Sequence, residues 1–412
     1  MDVKPIELKN GLRSGVMRLA PSKSHAHRVL IAEFLAGRFG ALAENPVDCD
    51  DIAATKRCLR TLADAVPPPV LGRGVSKPSV SEPRPRAGGG TKLDVGESGT
   101  TRRLLGPVVA ALGVTPEWIM RGRLASRPQI DYADLKPGVQ ELPGDVSSQF
   151  VSGLLFALPI LKGDSEIRLT TPLASRGYVN MTLDVLKAYG IVIEETDAGF
   201  KVPGNQKYVA PADGPQIEGD WSGAAFILAL AALGNDVTMS AADRASLKAD
   251  SLQPDKAIEG MLEKLAVTAP VVESDDGTVV LDVDACPDIF PILTVVAACR
   301  NGVTRFTGTR RLKIKESDRT AAMADVLGCL GVACDVGENE FVVKGTGRLG
   351  GAVGETHRGT EPLPTYADHR IAMSIAVAAT RASAPVSLDN TVCAAKSFPT
   401  FFEDFETLAL RA

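Results

Sequence analysis

Cationic and hydroxyl side chains crowd the start of an apolar segment near the amino terminus. The stretch PSKSHAHR places Lys23, Ser24 and Arg28 directly before VLIAEFLAG. A helix N-terminus carries unsatisfied N–H groups and a partial positive charge, so cations there oppose the helix dipole. A serine cap by itself needs no such charge. The pattern therefore favours an anion-binding site at this helix start.

Five later segments repeat the plan of a polar turn followed by an apolar run. They are ESGTTRRLLGPVVAALG, DVSSQFVSGLLFALPIL, DWSGAAFILALAAL, PDIFPILTVVAACRNG and ADHRIAMSIAVAATR. Two of these starts also carry cations, which are Arg102, Arg103, His369 and Arg370. A single such start is typical of ordinary capping, but the repeated excess of charge predicts a common site for anions.

Two basic runs lie outside these starts. RGRLASRP carries Arg121, Arg123 and Arg127, and TRRLKIKESDR carries Arg311, Lys313 and Lys315. The second set shares one face if the stretch is extended, because side chains alternate along a strand. Glu316 and Arg319 follow three residues apart, a spacing that makes neighbours on a helix. Taken with the helix starts, the runs indicate a site for several phosphates and carboxylates rather than a solvated basic edge.

The elements that must position these groups indicate an α/β protein. Helices that are apolar on nearly every face are buried helices, and six of them recur along the chain. Short β-branched alternations between them predict strands, namely EIRLTTP, IVIEE, TVVLDVD, VTRFTG and EFVVKG. MTLDVLKAYG and AAMADVLGCLG predict more polar helices. With 412 residues, 45% of them hydrophobic, the chain predicts two domains of three units each.

Two composition breaks mark the organisation. VAPADGPQIEG, near 209 to 219, lies about half-way and predicts the crossing between domains. The stretch 66 to 90 contains six prolines without periodicity and predicts an exposed loop inside the first half.

The totals exclude several classes of function. The 45 basic against 50 acidic residues give a net charge of −5, which offers no field for nucleic acid. No apolar run reaches membrane length, and MDVKPIELKN lacks a secretory signal, so a cytoplasmic protein without membrane contact is expected. Seven cysteines without a CxxC pair predict buried thiols rather than disulfides or zinc. GESG and GGG match neither the P-loop nor the dinucleotide fingerprint.

The ordered motifs from APSKSHAHR to AAKSFPTFFEDF resemble the 5-enolpyruvylshikimate-3-phosphate synthase family over about nine-tenths of the chain. The resemblance implies two similar domains, each of three βαβαββ units with buried helices, forming an inside-out α/β barrel with the active site in the interdomain cleft. In this family the chain begins in one domain, forms the other and returns. The implied domains are 1–20 plus 217–412, and 21–216.

The implied reaction is transfer of the enolpyruvyl group of phosphoenolpyruvate to the 5-hydroxyl of shikimate 3-phosphate. It proceeds by addition and then elimination of phosphate, on the pathway to chorismate and aromatic amino acids. The resemblance implies no metal and no organic cofactor, with these two small anions as the substrates. A monomer without nucleic-acid or membrane partners is expected.

Matching positions assign the site residues that the resemblance implies. For shikimate 3-phosphate they are Lys23, Ser24, Arg28, Ser147, Ser148, Gln149, Ser175, Asp288, Arg311 and Lys315. For phosphoenolpyruvate they are Lys23, Gly99, Thr100, Arg123, Gln149, Arg319, Arg370 and Lys396. Asp288 matches the base near the attacking hydroxyl, and Glu316 the group placed for the C3 proton. Lys23 or Lys315 is the acid for the departing phosphate. His25 and His27 match no required position and are interpreted as packing or solvent-facing residues.

The chain departs from the family pattern in places. Where many members read NAGTAMRPL it reads ESGTTRRLL, so that Glu97 replaces an amide, Ser98 an alanine and Leu104 a proline. This puts sensitivity to glyphosate, the family's herbicide inhibitor, in doubt. Arg311 stands where asparagine is frequent, and CDD at 49 to 51 replaces SDD.

Two alternatives remain. The sister transferase that acts on UDP-N-acetylglucosamine uses a loop cysteine, and none falls between 99 and 127. A non-catalytic module that binds anions or RNA is disfavoured by the net charge and by only 5% aromatic residues, because single-strand readers need stacking platforms.

Overall fold

Strands and helices alternate along the chain, as predicted for an α/β protein. The computed structural model describes residues 5–38, 49–66, 90–213, 216–266, 277–350 and 361–411. The chain divides into two compact units, Met1–Ala20 with Glu218–Ala412, and Pro21–Ile217. The loop predicted at 66 to 90 lies outside the described residues except for its two end positions.

The strands are short, and β-branched residues recur in the longer ones. In chain order they are β1 (Ile6–Leu8), β2 (Arg13–Met17), β3 (Thr91–Gly96), β4 (Pro116–Met120), β5 (Gly138–Leu142), β6 (Ser165–Leu169), β7 (Glu194–Thr196), β8 (Gly199–Val202), β9 (Asp236–Met239), β10 (Val279–Asp282), β11 (Asn301–Thr307), β12 (Ala333–Val336), β13 (Glu340–Thr346), β14 (Val386–Leu388) and β15 (Ala409–Leu410).

The α-helices include all six that the apolar runs predict. In chain order they are α1 (Lys23–Leu35), α2 (Asp50–Ala65), α3 (Gly99–Ala111), α4 (Ser148–Ala157), α5 (Arg176–Ala188), α6 (Trp221–Ala232), α7 (Ala241–Ser246), α8 (Ile258–Leu265), α9 (Phe290–Ala298), α10 (Arg319–Cys329), α11 (His369–Ala379) and α12 (Phe401–Thr407). Short 3₁₀ turns intervene at Gly122–Ser126, Leu158–Ile160, Pro254–Ala257, Arg310–Ile314 and Val392–Lys396.

One βαβαββ repeat occurs in each unit with the same sheet order. In the unit Pro21–Ile217, β5 pairs in parallel with β6, β6 pairs antiparallel with β8, and β8 pairs with β7. In the other unit β10, β11, β13 and β12 follow the same sequence of pairings. The crossover helices of these parallel pairs are α4 and α9, which are two of the six apolar helices. The repeated unit predicted from the sequence is therefore present in both units.

The six apolar helices form the cores. Every residue of α9 and of α11 is buried, and the other four are buried over most of their length. The helices α1, α3 and α4 belong to the core of the unit Pro21–Ile217, and α6, α9 and α11 to the other core. A helix without a solvent face exposes its polar groups only at its ends. A ligand can therefore contact such a helix at its first turn.

Side-chain caps hold five of the six helix starts. Ser22, Ser98, Ser147, Asp220 and Asp368 each accept a backbone N–H of the first turn. The start of α9 differs, because its cap position is Ile289 and no side chain caps it. Asp288, one residue earlier, is thus not used as a cap.

The cysteines and the apolar helices of the described residues indicate neither disulfide bonds nor membrane spans. Five cysteines are buried and the other two are partly buried, with all seven free, as the sequence predicts. Among the residues with assigned positions, we find no helix that is both long and apolar enough to cross a membrane.

Candidate functional site

The start, or mouth, of α1 carries Lys23, a cation that the sequence predicts to bind an anion. Ser22 caps the helix, and Lys23 Nζ lies 2.9 Å from Asp51 Oδ2 at the start of α2. The Lys23 side chain is 12% exposed and the Asp51 side chain 5%. Ser24 is partly buried beside it. The acidic partner comes from the CDD motif, for which the sequence offered no role.

Arg28, one turn further along α1, is fixed by three bonds inside its unit. Its Nε donates to Thr182 Oγ1 at 2.8 Å, and its other nitrogens donate to the carbonyl oxygens of Tyr178 and Ser24 at 2.8 and 2.6 Å. Burial lowers the pKa of Arg28 to about 10, so it is still a cation at neutral pH. Among the described residues, acceptors are present for three of the five N–H donors of this guanidinium.

His27, the residue before Arg28 in α1, contacts a buried chain of hydroxyls. Its Nδ1 lies 2.8 Å from Thr55 Oγ1, which lies 2.7 Å from Thr101 Oγ1. Thr101 in turn donates to Ser98 Oγ at 2.8 Å. Burial above all lowers the pKa of His27 to about 3, so the imidazole is neutral. His27 therefore packs α1 against α2 and α3 and is not poised for proton transfer.

At the mouth of α3, Gly99 stands against two guanidinium groups. A Cβ at Gly99 would lie 3.0 Å from Arg127 Nη1 and 3.2 Å from Arg103 Nη1. Gln149 Oε1 accepts from Arg103 at 2.9 Å, and Gln149 Nε2 donates to Thr100 Oγ1 at 2.9 Å. The predicted residues Gly99, Thr100 and Gln149 are thus brought together, with Arg103 and Arg127 added to them.

Close helix packing makes this meeting possible. A Cβ at Gly153 of α4 would lie 2.5 Å from the carbonyl oxygen of Arg103 in α3, so only glycine lets the two backbones approach this far. The approach sets the mouth of α4 beside that of α3. Gln149 can therefore contact both Arg103 and Thr100.

The other cations of this region differ in their contacts. Arg121 pairs with Asp94 through two bonds of 2.8 Å, which makes it a structural residue. Arg102 turns away from the helix mouth, with its guanidinium 4.4 Å from the centre of the Trp118 ring. Arg123 is exposed on the 3₁₀ turn Gly122–Ser126. In RGRLASRP, Arg127 places its Nη1 beside Gly99.

The mouth of α4 and the start of α5 supply the hydroxyls. Ser147 accepts the N–H of Gln149, and Ser148 is buried in the first turn. Ser175 precedes α5 with φ of 50°, a left-handed conformation that few non-glycine residues adopt. Strain of this kind, about 1 to 3 kcal/mol, persists where the surroundings impose it and clusters at functional sites.

In the second unit, Arg319 sits among three carboxylates. Its Nε donates to Asp368 Oδ2 at 3.0 Å, its Nη1 to Asp288 Oδ1 at 2.7 Å and its Nη2 to Glu316 Oε2 at 3.1 Å. The Arg319 side chain is 1% exposed. Although burial opposes its charge, these carboxylates raise the pKa of Arg319. Glu316 thus contacts Arg319 as predicted, but from before the helix, which begins at Arg319.

Asp288 is the point where three cations converge. Besides Arg319, Lys315 Nζ lies 3.5 Å from Oδ1 and Arg370 Nη2 lies 3.9 Å from Oδ2. Burial favours the neutral acid, but the three cations outweigh it and hold the pKa of Asp288 well below its usual range. Asp288 is therefore an ionised carboxylate with a quarter of its side chain exposed.

The stretch that contains Arg311, Lys313 and Lys315 is not extended, so the shared face that alternation would give is absent. Residues Arg310–Ile314 form a 3₁₀ turn around the fully buried Leu312. Arg311 pairs with Asp284, Lys313 donates to a backbone carbonyl at 3.3 Å, and Lys315 Nζ lies 3.5 Å from Asp288 Oδ1. Burial lowers the pKa of Lys315, and the Asp288 charge only partly offsets this.

Arg370 and Lys396 complete the predicted cations of this unit. Arg370, in the first turn of α11, is 2% exposed and donates from Nη1 to the carbonyl oxygen of Ser222 at 3.0 Å. Lys396 is buried at the end of the turn Val392–Lys396.

Sequence reasoning missed the acidic partners. Asp368 accepts a hydrogen bond from Arg319, and Asp51 accepts one from Lys23. Asp255, buried beneath the start of α6, accepts the hydroxyl of Ser222. Asp368 stands directly before a polar helix start, so its role as a cap can be predicted from the sequence. Its pairing with Arg319, 49 positions away, cannot. Fixed cations beside ionised carboxylates can bind multiply charged anions and move protons on them.

The chain is similar to known proteins in both sequence and fold. The sequence model of the family EPSP synthase (3-phosphoshikimate 1-carboxyvinyltransferase) matches residues 119–405. A 3-phosphoshikimate 1-carboxyvinyltransferase of Clostridium perfringens is 33% identical, with 98% of this chain and 97% of the relative covered. One of Clostridioides difficile is 32% identical, with 97% and 96% covered.

Solved structures share the fold. An EPSP synthase from Acinetobacter baumannii matches with a TM-score of 0.69 at 22% identity, covering 98% of both chains. The enolpyruvyl transferase NikO from Streptomyces tendae matches with a TM-score of 0.59 at 13% identity, covering 99% of both. At these identities the likeness establishes the two-domain α/β fold.

Proposed function

The chain belongs to the EPSP synthase family, and from this premise we propose how its own residues act in the reaction it catalyses. That reaction transfers the enolpyruvyl group of phosphoenolpyruvate to the 5-hydroxyl of shikimate 3-phosphate and releases phosphate. The hydroxyl oxygen loses its proton and adds to C2 while C3 gains a proton. The tetrahedral adduct then loses phosphate from C2 and a proton from C3, which restores the double bond.

Shikimate 3-phosphate is assigned to hydroxyls and cations of the unit Pro21–Ile217. Ser147, Ser148 and Ser175 would donate to the 3-phosphate, with the backbone N–H groups at the start of α4. Arg28 supports this, because three hydrogen bonds within this unit already fix its guanidinium in place. Lys23, Ser24 and Gln149 complete the set in this unit, while Asp288, Arg311 and Lys315 are assigned from the other.

Phosphoenolpyruvate is assigned to the guanidinium groups. Arg319 and Arg370 would bind it with Arg123 and Lys396, because a planar fork matches carboxylate and phosphate geometry. Gly99, Thr100 and Gln149 at the mouth of α3 would complete the site, with Lys23 reaching both substrates. We add Arg127 to this set, since it lies beside Gly99 with Arg103.

The proton transfers are assigned to groups around Arg319. Asp288 is the base for the 5-hydroxyl: three cations keep it ionised, so it takes the proton only as the new C–O bond forms. Glu316, 3.1 Å from the same guanidinium, is the partner for the C3 proton. Lys315, whose pKa burial lowers, is the better placed acid for the departing phosphate, with Lys23 as the other candidate.

The observation that carries these assignments is the ionised Asp288 between Arg319 at 2.7 Å and Lys315 at 3.5 Å. The test is an assay of phosphate release from phosphoenolpyruvate with shikimate 3-phosphate or UDP-N-acetylglucosamine as acceptor. Release with the first acceptor alone is expected. No release with shikimate 3-phosphate would overturn the proposal.

We further propose a monomer in the cytoplasm that binds no nucleic acid. The net charge of −5 supports the last point, because the polyanion would meet no attractive field. Sedimentation of the purified protein with and without RNA would test both the mass and the binding.

A further inference from the structure

A carboxylate that the proposed mechanism does not use lies behind the Asp288 site. Asp255, on the turn Pro254–Ala257, is 1% exposed and accepts the hydroxyl of Ser222 in the first turn of α6. The backbone carbonyl of the same Ser222 accepts Arg370 Nη1 at 3.0 Å. Arg370 Nη2 in turn lies 3.9 Å from Asp288. Asp255 is thus connected to the proposed base through one serine and one arginine.

The segment that contains Asp255 is fixed against the start of α6. Gln253 accepts the backbone N–H of Trp221 at 3.1 Å and donates to the carbonyl oxygen of Gly219 at 2.8 Å. The Asp255 carboxylate continues this attachment one residue further along the helix. The position of the Ser222 carbonyl, and with it that of Arg370, therefore depends on this turn.

We infer that Asp255 is a positioning residue for the reaction, holding Arg370 through Ser222 and presenting a second negative charge behind Asp288. The inference rests on the proposed function, since it takes Asp288 as the base and Arg370 as a ligand of phosphoenolpyruvate. Asp255 itself touches neither substrate in this assignment.

The charges around Asp255 make it a switch near neutral pH. It faces Asp288 before α9, Asp220 at the cap of α6, Arg370 of α11 and the neutral thiol of Cys286. Burial and then the Asp288 charge raise the pKa of Asp255 to about 7, against the Ser222 hydrogen bond and Arg370. Above that pH its negative charge repels that of Asp288. The repulsion strengthens Asp288 as a base.

The test compares kcat of the wild type and Asp255→Asn between pH 5.5 and 8.5 with both substrates saturating. Asparagine keeps the acceptor for Ser222 but carries no charge at any pH. The ratio of wild-type to variant kcat should be about 1 at pH 5.5 and rise to about three- to tenfold at pH 8.5. A ratio that stays constant over this range overturns the role of the charge.

The positioning role has its own measurement. Asp255→Ala removes the acceptor for Ser222, so KM for phosphoenolpyruvate should rise about fivefold or more, while Asp255→Asn restores it. An unchanged KM in the alanine variant overturns this role. Asp404→Asn is the matched control, a buried carboxylate that pairs with Arg18 far from these residues in the sequence, and it should leave both quantities unchanged.

Two further variants separate the possible failures. Ser222→Ala keeps the carbonyl but removes the hydroxyl that favours ionised Asp255, so the inflection of the kcat profile should move to higher pH. If Asp255→Asn does not fold, Ser222→Ala becomes the test. A kcat profile whose inflection stays at the wild-type pH in this variant then overturns the inference. Asp288→Ala reports on the proposed function itself: normal turnover there overturns the base assignment, whereas lost turnover with a constant Asp255 ratio overturns only the inference.

Discussion

Arg319 and Asp368 form an ion pair that is withdrawn from solvent, with Arg319 Nε 3.0 Å from Asp368 Oδ2 and side-chain exposures of 1% and 0%. Asp368 also accepts the hydroxyl of Ser317 and the backbone N–H of Arg370. One carboxylate therefore fixes the first turns of the two helices that begin with Arg319 and His369–Arg370.

Replacing Asp368 by Asn should cost stability as well as affinity. The change removes the fully buried carboxylate of Arg319 and leaves Asp288 and Glu316, which are more exposed, as its carboxylate partners. The expected loss in the free energy of unfolding is about 3 kcal/mol. KM for phosphoenolpyruvate should rise together with it. Chemical denaturation and steady-state kinetics measure the two effects. Glu340→Gln, which breaks an ion pair with Arg305 that is about half exposed, is the control and should cost at most about 1 kcal/mol. Equal losses in the two variants would contradict the role of burial.

Asp288→Ala and Glu316→Ala should each lower turnover at least about a hundredfold, the size of a lost acid or base. Shikimate 3-phosphate should still bind, because most of its proposed ligands lie in the other unit. Turnover and calorimetric binding measure the two quantities. Glu338→Ala, at an exposed pair with Arg310, should keep normal turnover. Near-normal rates in both test variants would show that the proton-transfer roles are misassigned.

Gln149→Ala should raise KM for phosphoenolpyruvate about tenfold while changing kcat less, since Gln149 aligns Arg103 with Thr100 by two hydrogen bonds. Steady-state kinetics with varied phosphoenolpyruvate gives the comparison. Gln140→Ala removes a half-buried glutamine that donates to the nearby Lys136 carbonyl, and no change is expected. A pure loss of kcat would instead place Gln149 at the reacting atoms.

His27 should make the protein less stable in acid. Its pKa is lowered to about 3 in the folded state, whereas an unfolded histidine titrates near 6.5. The unfolded state therefore binds the proton first, and stability is lost as pH falls from about 6.5 towards 3. Relative to His27→Asn, the wild type should lose up to about 1.4 kcal/mol of unfolding free energy for each pH unit in this window. Denaturation at pH 5, 6, 7 and 8 tests this. A pH-independent difference would mean that the pKa of His27 is not lowered in the folded protein.

Asp255 should act in the opposite direction. Its pKa is raised to about 7 when folded, against about 3.9 for an unfolded aspartate, so the folded state retains the proton longer. Stability from this group is complete below about pH 4 and is lost as pH rises towards 7. Asp255→Asn should therefore gain on the wild type between pH 5 and 7 and stop gaining above pH 7. The same denaturation series measures it, and a gain that grows on acidification would contradict the raised pKa.

The helices were predictable from the sequence because their signal is local. An apolar run such as FPILTVVAA has no polar face to expose, so its burial as α9 follows from composition alone. The strand EFVVKG and the polar helix AAMADVLGCLG follow from periodicity in the same way, and both are present as β13 and α10.

The pairings within the site were not predictable. Lys23 meets Asp51 across 28 positions and Arg319 meets Asp368 across 49, and nothing local specifies which carboxylate a cation will find. The conformation of the stretch before Glu316 was not predictable either, also for a physical reason. Its alternating cations fit a strand, but burial of Leu312 and its bond to the Thr309 carbonyl at 2.9 Å impose a 3₁₀ turn.

Arg28, Arg319 and Arg370 are each at most 2% exposed, so their dehydration takes place when the chain folds and not when substrates arrive. Folding stability and ligand affinity are then opposing demands on the same three side chains. Apolar replacements there should favour a sturdier but inert protein, since well-packed hydrophobic residues often stabilise a core better than buried ions do. Selection for heat resistance alone would therefore favour replacement of these buried arginines, and the enzyme would lose its activity.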